Sequence, residues 1–212
     1  MAQRLTLPFQ RPVLSAGYKH PHYRSYYGYA HYGWDMGCDE PGYAVLSPGT
    51  GRVVAAGMDG SSLHGAGAGL GNCIVLILQD VQCPDGSIRD IACRMFHLAS
   101  IAVRAGQTVQ RGDKLGEYGD TGAGRWGKHL HIEFDTDTRY PAYAVGIASS
   151  GKIIKRGTVD STVDPAALFC RKNGQAVRGC PANDGRAWYD GQDLALPILG
   201  AAAVCPTCGR EL

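Results

Sequence analysis

The chain has 212 residues, with 21 lysines and arginines against 19 aspartates and glutamates and a net charge of +2. That near balance, without a clustered basic stripe, argues against nucleic acid as a partner, and the longest apolar stretch, residues 194–205, is too short to span a bilayer. The length suits one compact domain plus an extension, enough to bury a core without staples.

Residues 1–9 lack the apolar core and small-residue cleavage site of a signal peptide, so any target outside the cell is expected to be reached by another route. An aromatic cluster follows: Tyr23, Tyr26, Tyr27, Tyr29, Tyr32 and Trp34. It reads either as the wall of a peptide groove or as strand packing, with His20 and His22 as bystanders. Inside it, His31 and Asp35 are four residues apart, so an extended or gently bent segment puts both on one side, with Gly33 leaving space between them. Residues 52–56, 73–79, 91–97, 115–118 and 129–134 are apolar runs of strand length. Cys83-Pro84-Asp85-Gly86 reads as the hairpin turn joining the second and third of these. The glycine-rich residues 64–71 read as a loop on a cleft rim; they lack the lysine and serine of a phosphate loop. One short helix is expected over residues 165–170. The predicted architecture is mainly β: an antiparallel sheet forming an open groove over residues 1–168, then a cysteine-containing extension over 169–212 that holds Trp188 and Tyr189.

The eight cysteines permit disulfides whose pairing sequence does not fix. Cys170 and Cys180 flank a polar loop and are placed to close it. Cys205-Pro206-Thr207-Cys208 resembles half a zinc knuckle, and with Cys170 and Cys180 it offers the four ligands of a second, structural zinc.

Successive side chains on a strand alternate faces. His129 and His131 therefore share a face about 6.6 Å apart, together with Glu133, while Leu130, Ile132 and Phe134 face a core. With His31 and Asp35 they supply the nitrogen and carboxylate ligands that a catalytic zinc takes, three at a time with one open position. His97, in the apolar run Arg94-Met95-Phe96-His97-Leu98, is a fifth candidate. Any one of these histidines alone is an ordinary surface or core residue; together, beside glycine-rich turns, they point to a metal. Spacing does not decide which of His129 and His131 binds it.

Several motifs fall in a familiar order: Ala30-His31-Tyr32-Gly33-Trp34-Asp35, Ser47-Pro48-Gly49-Thr50-Gly51-Arg52-Val53, Gly71-Asn72, Phe96-His97-Leu98, residues 106–113, Thr121-Gly122, His129-Leu130-His131-Ile132-Glu133 and Val163-Asp164-Pro165. Between Gly28 and Phe134 the chain resembles the lysostaphin-type, or LytM-like, zinc endopeptidases that cut stems or cross-bridges of bacterial peptidoglycan. The resemblance implies a LytM-like fold of the duplicated-hybrid-motif type and one catalytic zinc on His31, Asp35 and His131. It also implies His97 and His129 as the catalytic histidines, with peptidoglycan peptides as substrate. Without a leader or a repeated wall-binding module, the expected source is a compact phage lysin acting on the wall, with a tilt toward diaminopimelate-type cross-links. Two alternatives remain: a non-catalytic relative that binds wall or activates another hydrolase, and a carrier module, which residues 106–113 also resemble. Carriers need no His31–Asp35 pair.

Overall fold

A computed structural model describes residues 2–58, 69–122, 127–142, 160–182, 184–189 and 194–200. The first elements are β1 (Leu5–Thr6), β2 (Pro12–Ala16), a short helix α1 (Pro21–Tyr27), β3 (Trp34–Cys38) and β4 (Ala44–Leu46). Next come β5 (Gly51–Met58), β6 (Asn72–Gln82), β7 (Ile88–Ile101), β8 (Thr108–Val109), β9 (Lys114–Tyr118) and β10 (Leu130–Asp135). The last are β11 (Thr162–Val163), a one-turn helix α2 (Pro165–Leu168), β12 (Phe169–Cys170) and β13 (Arg178–Gly179). The main sheet runs β13-β2-β3-β10-β7-β6-β5-β8, with β11 on β10 and β9 joining β7 to β4. Its pairings are antiparallel except β13 on β2. A separate parallel pair joins β1 to β12, Leu5 opposite Phe169.

Alternation along β10 sorts its side chains. Leu130, Ile132 and Phe134 are fully buried and pack with Trp34, Met36, Met95, Ile74 and Leu76 in one core. Each such side chain contributes about 1.5–3 kcal/mol on burial. The other face carries His131, Glu133 and Asp135, and there β10 lies between β3 and β7 with His131 directly opposite Asp35 and Glu133 opposite Arg94.

The hairpin turn forms as expected: Cys83 N–H donates to Ser87 O at 2.8 Å, and Gly86 takes the left-handed conformation at φ +80°. The helix expected over residues 165–170 stops at Leu168. Asp164 caps it by accepting from Ala166 N–H at 2.9 Å, but Phe169 turns extended, because its ring fills the core against Trp34 and Phe134. Cys170 and Cys180 are free thiols, so the loop between them is not closed by a bridge. Residues 64–68 of the glycine-rich loop, and Cys205 and Cys208, lie outside the described residues. The segment after α2 is stitched onto the start of the chain: the Gln175 amide donates to Phe9 O at 2.8 Å across 166 residues of sequence.

Candidate metal centre

β3, β10 and the segment between α1 and β3 bring three donor atoms to one point. His31 Nε2 lies 3.0 Å from Asp35 Oδ1 and 3.1 Å from His131 Nδ1, and His131 Nδ1 lies 2.8 Å from Asp35 Oδ1. Among the described residues this is the one group of three metal-ligating side chains that converges; Cys170 and Cys180 do not contribute to a second.

The far nitrogen of each imidazole fixes its tautomer. His31 Nδ1 donates to Gly17 O at 2.8 Å; a carbonyl only accepts, so Nε2 keeps its lone pair toward the centre. His131 Nε2 faces Glu133 Oε1 at 3.1 Å, the carboxylate–histidine arrangement that orients metal ligands and raises their basicity. With both imidazoles neutral, three lone-pair atoms would crowd together at hydrogen-bond distance, an arrangement that either a proton on His131 Nδ1 or a metal cation between them relieves. Two imidazoles and a carboxylate are a zinc donor set that leaves one position open.

The charges agree. Burial opposes ionisation of Asp35, but the neighbouring His31 and His129 hold its carboxyl well below the usual range, helped by a hydrogen bond from His131. Burial also opposes charge on His131, yet Asp35 and Glu133 push it up to about 10. Behind Glu133 sits Arg94, fully buried, its guanidinium donating to Glu133 Oε2 at 2.8 Å and Asp135 Oδ2 at 2.9 Å. Gly33 is demanded by the close approach of β3 and β10: a Cβ there would stand 2.3 Å from Ile132 O and 2.9 Å from His131 Nε2.

His97 and His129 flank the cluster, with ring centroids 4.8 Å apart. His129 precedes β10, its N–H donating to Gly119 O, and its Nε2 comes within 3.7 Å of Asp35 Oδ1. His97 sits in a β-bulge: Met95 pairs with Ile74 and Leu98 with Asn72, so Phe96 and His97 together oppose Cys73. Its φ of +65° re-aims the ring, as bulges beside functional sites do. Gly71, Asn72 and Thr121 form its cradle. Thr121 O accepts from His97 Nδ1 at 3.0 Å, and Thr121 Oγ1 bonds both Asn72 N–H and Leu98 O. Burial, then the nearby His129 and His131, lower the His97 pKa to about 4.

The structure brings all five predicted site residues together. Sequence reasoning missed Arg94, whose signal was a lone charge inside an apolar strand run; it placed Tyr23 in the aromatic cluster around His31 and Asp35 but not its stacking on the His31 ring at 4.6 Å. His20 and His22 pair ring to ring at 5.3 Å and are not among the converging donors.

The model of peptidase family M23 matches residues 29–142, the stretch that holds all five residues. No curated protein sequence matches significantly. Among solved structures, lysostaphin in solution is 22% identical over 86% of this chain and 62% of its own, with a TM-score of 0.51. The SpoIIQ–SpoIIIAH pore forming complex is 14% identical over 80% of this chain and 92% of its own, with a TM-score of 0.53. Both likenesses speak for the fold. A zinc containing peptidase from Vibrio cholerae is 26% identical over 63% of this chain, with a TM-score of 0.43. The chain spans 37% of that peptidase and 62% of lysostaphin.

Proposed function

This chain belongs to peptidase family M23, and we propose that within it the chain is a zinc-dependent endopeptidase that hydrolyses peptide cross-links or stems of bacterial peptidoglycan. One observation carries the reading: His31 Nε2, Asp35 Oδ1 and His131 Nδ1 meet within 3.1 Å, with two further imidazoles beside them.

His31, Asp35 and His131 would hold the metal. Zinc bound there supplies Lewis-acid polarisation of the scissile carbonyl and lowers the pKa of water. Proton traffic falls to the flanking imidazoles. His129 Nδ1 donates to Gly127 O at 2.9 Å and His97 Nδ1 donates to Thr121 O, so in each ring Nε2 is the atom that accepts a proton. His97, with its pKa near 4, stays neutral through the physiological range. As the water oxygen bonds the carbonyl carbon, Nε2 of one imidazole takes its proton. That proton passes to the amine nitrogen as the carbon–nitrogen bond breaks. The resulting imidazolium also faces the negative charge growing on the carbonyl oxygen. The family points to peptidoglycan as substrate, and the cell wall is the place of action that goes with it.

The test incubates zinc-loaded protein with purified cross-linked muropeptide dimers of the diaminopimelate type and, separately, with pentaglycine. The expected result is conversion of dimers to monomers. Pentaglycine cut instead would move the bond but keep the class. No cleavage of either by zinc-loaded chain would overturn the reading in favour of a non-catalytic wall-binding relative.

A further inference from the structure

Beyond residue 142, outside the stretch that the family model matches, the chain returns to the metal centre from behind. β13 lies parallel on β2, with Arg178 opposite Val13 and Gly179 opposite Leu14. Cys180 N–H continues the pairing by donating to Leu14 O at 2.9 Å. The Arg178 guanidinium holds both carboxylate oxygens of Asp39, at 2.9 and 2.7 Å. Ala182 N–H donates to Arg186 O at 2.7 Å, and the chain then reaches Trp188, which bridges Ala16 and is buried.

Two routes lead from Trp188 to His31. Along the main chain, Gly17 N–H donates to Trp188 O at 2.7 Å, and Gly17 O accepts from His31 Nδ1 at 2.8 Å. Through the rings, Trp188 packs on Tyr23 at 5.7 Å, Tyr26 at 5.5 Å and Tyr27 at 5.8 Å between centroids. Tyr23 in turn stacks on the His31 imidazole, 25° from parallel. No residue of α1 is fully buried, so these ring contacts, rather than an anchor in the core, set the helix over His31. The carbonyl that chooses the His31 tautomer and the ring that covers its face are both held by one tryptophan.

We propose that residues 178–182 and 184–188 form a strap that positions the ligand His31, with Trp188 as the positioning residue; this rests on His31 being a metal ligand. Partners that orient a ligating histidine from outside the coordination sphere are typically worth 10–100-fold in metal affinity.

The test uses the full chain, as wild type, Trp188→Ala, Trp188→Phe, Trp188→Leu and Leu78→Ala. Zinc dissociation constants come from chelator competition, and the visible bands of cobalt(II)-loaded protein report ligand geometry. Trp188→Ala is expected to bind zinc about 10–100-fold more weakly, with altered cobalt bands. Trp188→Phe, which keeps a ring, restores most of the affinity. If alanine prevents folding, Trp188→Leu, which keeps apolar bulk without an aromatic face, carries the comparison in the same direction. Leu78 is fully buried on β6, six residues along the strand from Asn72; its truncation lowers stability and should leave zinc binding intact. Zinc bound as tightly by the folded Trp188 variants as by wild type, or weakened equally by Leu78→Ala, would overturn the strap. A wild-type chain that binds no zinc would instead overturn the metal reading, and the strap with it.

Discussion

At the scale of single residues, His97 and His129 stand beside the donor cluster without belonging to it. Replacing either with alanine should leave zinc content unchanged while hydrolysis falls about 10²–10⁴-fold, the usual worth of general acid–base help. Metal analysis alongside a muropeptide assay checks this, and a variant that cleaves at the wild-type rate has lost no catalytic group. His131 carries a pH dependence. In the metal-free chain its pKa of about 10 lies above the unfolded value near 6.5. Its contribution to stability is therefore full below about pH 6.5 and lost as pH rises through about 10. Zinc bound by His131 as proposed would have to displace that proton. Affinity should fall as pH drops below 10, by up to about tenfold per unit for one proton displaced, which competition titrations at several pH values will show. Strand alternation made His129 and His131 legible as neighbours on one face, while the choice of His131 with His31 and Asp35 came from the resemblance and not from spacing. The carbonyls of Gly17 and Thr121, which choose the tautomers of His31 and His97, were not legible. A main-chain oxygen has no sequence identity, and only the fold says where it points.

Among the elements, the apolar runs became β5, β6, β7, β9 and β10, most of them longer than the runs themselves. The extra residues include polar ones at the hairpin tip, Asp80 and Gln82 on β6 and Arg89 and Asp90 on β7. Hydrophobic patterning cannot see those. α1 escaped because its tyrosines favour strands and no apolar face repeats along it. Its two boundary signals were nonetheless present: Pro21 in the first turn and Gly28 beyond the end at φ +79°. The bulge in β7 makes a sharper prediction. A residue in the left-handed region strains any side chain by roughly 1–2 kcal/mol, and glycine escapes it. In an ordinary strand His97→Gly would be less stable than His97→Ala; here the order should invert by about 1 kcal/mol in urea unfolding. The ordinary order would mean that His97 does not hold a positive φ.

For the whole molecule, zinc held as proposed by His31, Asp35 and His131 would tie function to stability. Saturation at a hundred times the dissociation constant adds about 2.7 kcal/mol to the folded state. A chain of this size gains about 2–4 °C in Tm per kcal/mol, so chelation should lower Tm by about 5–10 °C and abolish hydrolysis together. Calorimetry that shows no shift on chelation would separate the fold from the metal. The open sheet and its site were expected from the ordered motifs. The return of the extension onto β2 was not, because contacts between distant segments leave no local pattern. That return has a consequence in time. Gln175 and Phe9 are 166 residues apart, and a ribosome adds about 5–20 residues per second. The strand beside β2 therefore emerges on the order of ten to thirty seconds after the segment it pins. A nascent chain displays His31 long before the piece that steadies it exists, so the order of synthesis itself delays the finished centre until Trp188 has emerged.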